Sequence, residues 1–214
     1  MSQFEKNYSN IYNLIYKKKN YKKEFLNIQR SLPKKIPVVK DILDIGCGTG
    51  LFAKYFTKKY NSNILGIDAS KHMLKIAKKK IKNKKIKFKL QKLENFSSKK
   101  KFGIIYSLFH VLSYQTKTSQ IFNFFKIAQN NLKPKGLFIF DFWNKKAVLR
   151  FKPKKKLKFF RDRNMNVYNF VIPKLFKKQN LVKVNLNIYL EKNKDFINFS
   201  ETHEMRYFDL KEID

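Results

Sequence analysis

Cysteine is nearly absent from this chain. Cys47 is the one thiol in 214 residues, so neither an internal disulfide nor a cysteine-based zinc site can form within the chain. No metal site is expected. Long apolar runs are also missing: nothing approaches the roughly 18 residues of a membrane-crossing helix. Met1 to Asn10 is polar and lacks the apolar segment of a secretory leader, so a cytoplasmic protein is expected. Acidic residues are scarce, 15 against 49 Lys and Arg, for a net charge of +34. Arginine is scarcer still, confined to positions 30, 150, 161, 163 and 206.

Such a charge attracts phosphates, and one reading is a nucleic-acid binder. Two facts weigh against it. Base and phosphate recognition favours the arginine fork, and here lysine supplies nearly all the charge. The lysine runs 17–19, 78–80, 99–101 and 154–156 are scattered, where a dedicated face would concentrate them. Lys, Asn, Ile and Phe all have AT-rich codons, so a compositional bias that coats the surface with lysine is preferred. Weak, salt-sensitive binding to nucleic acid is expected, and no specific one.

Core material is ample: 43% hydrophobic and 16% aromatic residues, with 22 Phe and 11 Tyr. The length fits one large domain, or one with a small appendage. Residues 4–32 read as helical, ended by Ser31-Leu32-Pro33 and Pro37. From 38 to 142, strand and helix patterns alternate. Strands are predicted at 41–45, 63–67, 86–90, 104–108 and 137–140, with helices after the first, second and fourth. Ser70 is placed to cap the second of these helices, which carries Met73, Leu74, Ala77 and Ile81. After about residue 145 the pattern changes. Val182, Val184, Leu186, Ile188 and Leu190 alternate with polar neighbours, as in a half-buried antiparallel strand. Residues 157–163, 166–172 and 196–208 are its candidate partners, and 191–195 is a candidate hairpin turn.

The first chemical signal is Asp44-Ile45-Gly46-Cys47-Gly48-Thr49-Gly50, after a predicted strand and before a predicted helix. Glycines let a ligand approach the backbone, and the helix N-terminus offers free N–H groups. Eighteen positions after Gly50, Asp68 ends the second strand, where a carboxylate can accept both hydroxyls of a ribose. The bland alternative is a plain glycine turn with Asp68 capping a helix; loop, carboxylate and order together favour a ligand. A nicotinamide dinucleotide fits less well. The loop reads G-x-G-x-G, not G-x-G-x-x-G, and Asp44 would repel a pyrophosphate but could hold an ammonium.

At these residues the chain resembles the class I methyltransferases that use S-adenosylmethionine. The likeness continues through Ile64-Leu65-Gly66-Ile67-Asp68-Ala69-Ser70, Met73-Leu74 and Leu132-Lys133-Pro134-Lys135-Gly136, a variant of the family's Leu-Lys-Pro-Gly-Gly turn. It covers about residues 35–142. It implies an α/β fold: a Rossmann-like sheet with helices on both faces, an antiparallel cap after strand five, and a final β-hairpin that this sequence stops short of. Lys211-Glu212-Ile213-Asp214 would begin the helix before that hairpin. The implied division is a helical lid at 1–34, a cofactor domain at 35–145 and a substrate cap at 146–214.

The resemblance also implies site residues. S-adenosylmethionine would be held by Tyr21, Asp44, Gly46, Cys47, Gly48, Gly50, Asp68, Ala69, Met73, Lys92, Leu93, Glu94, Leu108 and Phe109. Two departures stand out: Lys92 occupies a usually acidic position, leaving the adenine to Glu94 or backbone, and strand four begins Phe102-Gly103 where Phe-Asp is common. Cys47 is read as a small residue of the loop, not a nucleophile.

A narrower likeness is to methyltransferases that dimethylate the amino group of nucleotide-linked sugars. It rests on Tyr12 to Tyr16, Lys19-Asn20-Tyr21, Ser107 to Tyr114, Asp141-Phe142-Trp143 and Phe199 to His203. It implies His110 and Tyr12 as catalytic residues and Trp143 and Tyr114 as substrate contacts. His110 is either a general base or a packing group beside the cofactor. Tyr12 and Tyr21 either close over the methionyl end or are ordinary lid aromatics. Trp143 is either a pocket wall or simply buried. The expected partner is a small-molecule acceptor, an amine or hydroxyl of a sugar or related metabolite, and a homodimer stays open. An RNA methyltransferase using the basic surface and a non-catalytic S-adenosylmethionine binder remain the alternatives.

Overall fold

A computed structural model describes residues 4–33, 39–162, 164–193 and 195–213. The chain divides into two units, one built from the stretches 18–112 and 117–141, the other from 1–17, 113–116 and 142–214. Pro37, part of the expected end of the first helical region, lies outside the described residues.

In the first unit, helix α2 (Tyr21–Ser31) precedes five parallel strands: β1 (Asp41–Ile45), β2 (Asn63–Asp68), β3 (Ile86–Leu90), β4 (Phe102–Ser107) and β5 (Leu132–Phe140). Helices α3 (Leu51–Tyr60), α4 (Lys71–Lys80) and α5 (Thr118–Asn131) connect β1 to β2, β2 to β3 and β4 to β5. The sheet order is β3-β2-β1-β4-β5. The chain therefore reverses its direction of travel across the sheet between β1 and β4, the position where open parallel sheets bind ligands at their carboxyl ends. Ile42, Leu43, Ile104 and Ile105 of the two central strands are fully buried. Each contributes on the order of 1.5–3 kcal/mol of hydrophobic stabilisation. The Ser70 hydroxyl accepts from the Met73 amide at 3.2 Å, which is the cap expected for α4.

Strand β5 starts earlier than the apolar run suggests. Leu132 pairs with Phe102, then the register breaks until Ile104 meets Leu137. The intervening Lys133 to Gly136 turn is absorbed into the strand as an irregularity, with Lys135 at φ +60°.

In the second unit, helix α1 (Lys6–Ile15) is followed, after Phe142, by the two-residue strand β6 (Trp143–Asn144) and helix α6 (Lys145–Phe151). Four long strands come next: β7 (Lys156–Asp162), β8 (Met165–Phe176), β9 (Leu181–Lys192) and β10 (Asp195–Phe208). Their order is β6-β10-β9-β8-β7, antiparallel throughout except that β6 runs parallel to β10. Val182, Leu186, Ile188 and Leu190 of β9 are buried on one face, while Tyr189 between them is exposed. The β9–β10 hairpin pairs Lys192 with Asp195, with Asn193 at φ +51° in the turn; Lys194 lies outside the described residues.

One sequence expectation is refined. Residues 4–32 are helical, as two helices: α1 and α2 are separated at 16–20, where Asn20 caps α2 by accepting from the Lys23 amide at 2.9 Å. The lysine run there has good helix propensity, but the cap and the burial of Lys19 override it. Leu210–Glu212 is a single 3-10 turn in which the Asp209 carboxylate and the Glu212 side chain cap each other's backbone; Asp214 lies outside the described residues.

Candidate cofactor and active site

The parallel pairing of β1 to β4 puts their carboxyl ends at one edge of the sheet. There stand Asp44 and the loop to Gly50, Asp68 and Ala69, the Lys92 to Glu94 turn, and Leu108 to His110. The loop is fixed from below: the amides of Gly46 and Cys47 both donate to the Ile67 carbonyl, at 2.9 and 3.0 Å, and Gly50 donates to the Cys47 carbonyl at 2.8 Å. Gly48 has φ +53°, and a Cβ built on it would meet nothing within 4 Å. That open space over a left-handed residue is a cradle into which a ligand can approach the backbone. Gly66 is required for the opposite reason. A Cβ there would lie 2.9 Å from the Cys47 sulfur and 2.9 Å from the Phe88 ring. Helix α3 begins at left-handed Gly50 with no side-chain cap, so its N-terminal dipole points into the same region.

Asp68 is held by two backbone amides, Gly48 to Oδ2 at 2.8 Å and Ser70 to Oδ1 at 2.8 Å. A carboxylate accepts about four hydrogen bonds, so capacity remains for two hydroxyls. Burial raises its pKa, and the two amides pull it back. Asp44 is buried at 3% exposure and accepts from the Tyr106 hydroxyl at 2.9 Å. Burial pushes its pKa up to about 8, the Tyr106 bond opposes this, and the charge of Asp68 adds to it. Burial likewise raises the pKa of Cys47, which keeps it a thiol.

After β3, Gln91 organises the next turn by donating to the Lys92 and Asn95 carbonyls, at 3.2 and 3.1 Å. Lys92 and Glu94 are exposed, and Leu93 is half-buried. After β4, buried Leu108 is followed by Phe109 and His110 at φ +72° and +65°. Two successive left-handed non-glycine residues need support, and Asp141 supplies it. Its Oδ2 accepts from the Phe109 amide at 3.0 Å and its Oδ1 from the His110 amide at 2.6 Å. The His110 Nδ1 lies 3.9 Å from Oδ1.

Lys19 completes this edge. Its ammonium sits 3.5 Å from the Phe109 ring centre, 5.1 Å from that of Tyr21 and 5.6 Å from that of Phe52, and pairs with Glu24 at 3.0 Å. Burial lowers its pKa, and Glu24 opposes the shift. His110 is lowered chiefly by burial; Asp141 raises it and the charge of Lys19 lowers it further.

Met73, in the first turn of α4, is buried at 2% exposure. Tyr12, Tyr114 and Trp143 belong to the other unit. There Tyr12 packs on Tyr16 at 4.7 Å, the Tyr114 hydroxyl bonds His203 Nδ1 at 3.1 Å, and the Trp143 amide donates to the Ser113 hydroxyl at 3.0 Å. The sequence reading missed Tyr106, Asp141 and Lys19 as parts of the site. A tyrosine after two isoleucines in a buried strand was the available signal for the first, because a buried hydroxyl needs a partner.

Comparison with known proteins agrees with this geometry. Residues 42–136 match a family described as Methyltransferase domain. This part of the chain is similar to methyltransferase domains. Among curated proteins, malonyl-acyl-carrier-protein O-methyltransferase 2 of Ilyobacter polytropus is 34% identical over 131 residues, 57% of this chain and 49% of the relative. The dTDP-3-amino-3,4,6-trideoxy-alpha-D-glucopyranose N,N-dimethyltransferase of Streptomyces venezuelae is 25% identical over 142 residues, 65% of this chain and 59% of the relative. The chain thus spans about half the length of the curated relatives it matches. Among solved structures, Streptomyces venezuelae DesVI shares the fold at a TM-score of 0.82 and 21% identity, over 98% of this chain and 87% of the other. A sugar N-methyltransferase from Streptoalloteichus sp. ATCC 53650 does so at 0.81 and 16%, over 94% and 79%. A S-adenosylmethionine-dependent methyltransferase from Clostridium acetobutylicum does so at 0.77 and 24%, over 97% and 83%. The matching stretch thus lies on a Rossmann-like sheet, with a second, antiparallel sheet in the chain. No helix among the described residues is long and apolar enough to cross a membrane.

Proposed function

We propose that the chain is an S-adenosylmethionine-dependent methyltransferase of small molecules, with an amino group of a sugar or related metabolite as the acceptor and a hydroxyl as the alternative. The observation that carries the cofactor is the glycine cradle at Gly48 beside the Asp68 carboxylate, within the stretch that matches the methyltransferase family. The amino-sugar reading is supported by the amino-sugar N,N-dimethyltransferase relative and by fold likeness to a sugar N-methyltransferase over 94% of the chain. The malonyl relative supports an oxygen acceptor instead.

When bound, S-adenosylmethionine supplies an electrophilic methyl group on a sulfonium. The chain's residues do the rest. Asp68 would accept the ribose hydroxyls, and the backbone of Gly46 to Gly50 would carry the methionyl part, with the buried Asp44 carboxyl oriented by Tyr106 toward its ammonium. Leu93, Leu108 and Phe109 border the adenine, and Glu94 or backbone meets its amino group, since Lys92 cannot accept. His110 takes a proton from the acceptor nitrogen. Burial and the charge of Lys19 keep its imidazole neutral near pH 7 and ready to accept one. Asp141, through the Phe109 and His110 amides, positions the ring.

Calorimetric titration with S-adenosylhomocysteine, wild type beside Asp68→Ala, tests the cofactor half. Binding that is lost in the variant supports it, and no binding by a folded wild-type chain sinks it. Incubation with nucleotide-linked amino sugars and hydroxylated analogues, read as a methyl mass gain, then distinguishes the acceptors.

A further inference from the structure

In the second unit a run of three side chains ends at Tyr114. Glu201 and His203 lie two residues apart on β10, so they share one face of the strand, and both are buried. Glu201 Oε1 accepts from the Phe4 amide at 2.6 Å and lies 3.2 Å from His203 Nε2. The other ring nitrogen, Nδ1, lies 3.1 Å from the Tyr114 hydroxyl. Rings wall the imidazole in: Phe4 at 5.1 Å, Tyr8 at 5.3 Å and Tyr114 at 5.8 Å between centres. Among the described residues no Lys or Arg pairs with Glu201, in a chain that carries 49 of them. Its charge is directed at the imidazole and the Phe4 amide.

The carboxylate decides which nitrogen carries the proton. A lone pair on Nε2 would face a carboxylate oxygen at 3.2 Å, with neither atom able to donate. A proton on Nε2 turns that repulsion into attraction, although the oxygen lies off the line of a well-formed hydrogen bond. Nδ1 of the neutral ring is then an acceptor, and the Tyr114 hydroxyl donates to it. Burial raises the Tyr114 pKa, with Tyr16 and Glu201 adding to the shift, so the phenol keeps its hydrogen. With that hydrogen committed to His203, the hydroxyl can only accept from any further partner. We propose, on the amine reading given above, that Glu201 and His203 are positioning residues that hold the Tyr114 hydroxyl as a hydrogen-bond acceptor for the amino group of the substrate.

Methyl transfer gives this lock its use. A neutral amine attacks through its nitrogen lone pair, which has to stay free and face the methyl group. A hydroxyl free to rotate would donate to that lone pair and block the attack. A hydroxyl held by His203 accepts an amine N–H instead, which fixes the nitrogen and leaves the lone pair open.

Nitrogen chemical shifts read the tautomer independently of activity. The chain has three histidines, His72, His110 and His203. A long-range proton–nitrogen spectrum of the full chain labelled at histidine, assigned by elimination with His72→Gln and His110→Gln, therefore resolves each ring. Expected for wild-type His203 above neutral pH is a neutral ring protonated on Nε2. In Glu201→Gln, whose amide can donate to Nε2, the proton should move to Nδ1 with circular dichroism unchanged. A wild-type His203 protonated on Nδ1, or on both nitrogens, would overturn the proposal. Methyl transfer to a nucleotide-linked amino sugar reads the consequence. Glu201→Gln and Tyr114→Phe should each lower kcat by about tenfold or more, with KM changed less. The double variant should be no slower than Tyr114→Phe alone, because Glu201 acts through that hydroxyl. Losses that add in the double variant would make Glu201 a merely structural residue and refute the proposal. A wild type that adds no methyl to such amines would remove the amine reading and the purpose of the lock, while the spectrum would still report the tautomer.

Discussion

The Tyr106 hydroxyl donates to Asp44 Oδ2 at 2.9 Å, between adjacent central strands that place the two residues opposite one another. Tyr106 also stacks on Phe56, 4.1 Å between ring centres and 13° between planes. The acid that ends the first strand is therefore held by a hydroxyl anchored in the core. Tyr106→Phe keeps the stack and removes the donor. It should cost about 1–3 kcal/mol of stability in urea denaturation, the usual penalty for stranding a buried polar group. It should also raise the Asp44 pKa further.

Asp44 ties stability to pH with a definite sign. Its folded pKa, about 8, lies above the ordinary 3.8. The folded state therefore holds a proton that the unfolded state has released, and stability falls as pH rises between those values. Asp44→Asn removes this slope. Melting curves of the two proteins from pH 5 to pH 9 should converge at the acid end and separate at the alkaline end, with the variant the more stable there.

Asp68→Ala should weaken S-adenosylhomocysteine by at least about tenfold, since hydrogen bonds to a charged group contribute roughly 1.5–3 kcal/mol each. Asp68→Asn should lose less, because its amide oxygen still accepts. Calorimetry on both variants reads the difference. Equal affinities for wild type and Asp68→Ala would remove this carboxylate from the cofactor site.

Lys19→Met leaves the contacts with Phe109 and Tyr21 apolar but removes the charge that helps lower the His110 pKa. The acid limb of the pH–rate profile should move upward, with cofactor affinity little changed. Asp141→Ala acts on the same ring through the backbone. It frees two left-handed residues and should lower kcat more than it weakens cofactor. A profile that ignores both changes would show that His110 is not the proton acceptor.

Much of this architecture is readable from local chemistry. The β1 loop, Asp68 and the Ser70 cap follow from period and spacing, because each is settled within a few residues of itself. The parts that were not readable depend on distant partners. Tyr106 finds Asp44 only once the strand order is known. Asp141 supports a turn some thirty residues earlier in the chain. The break between α1 and α2 falls in a lysine run that favours helix by itself, and it is fixed by where Lys19 comes to rest among three rings.

Lys135 has a consequence beyond strand pairing. At φ +60° it holds a conformation that costs an L-residue with a side chain about 1–2 kcal/mol and costs glycine little. It is also the position where the Leu132-Lys133-Pro134-Lys135-Gly136 segment departs from the more usual glycine. The composition that coats the molecule in lysine has thus reached a place where lysine is the poorer fit. Lys135→Gly should raise the melting temperature by a few degrees, one codon away from a more stable protein.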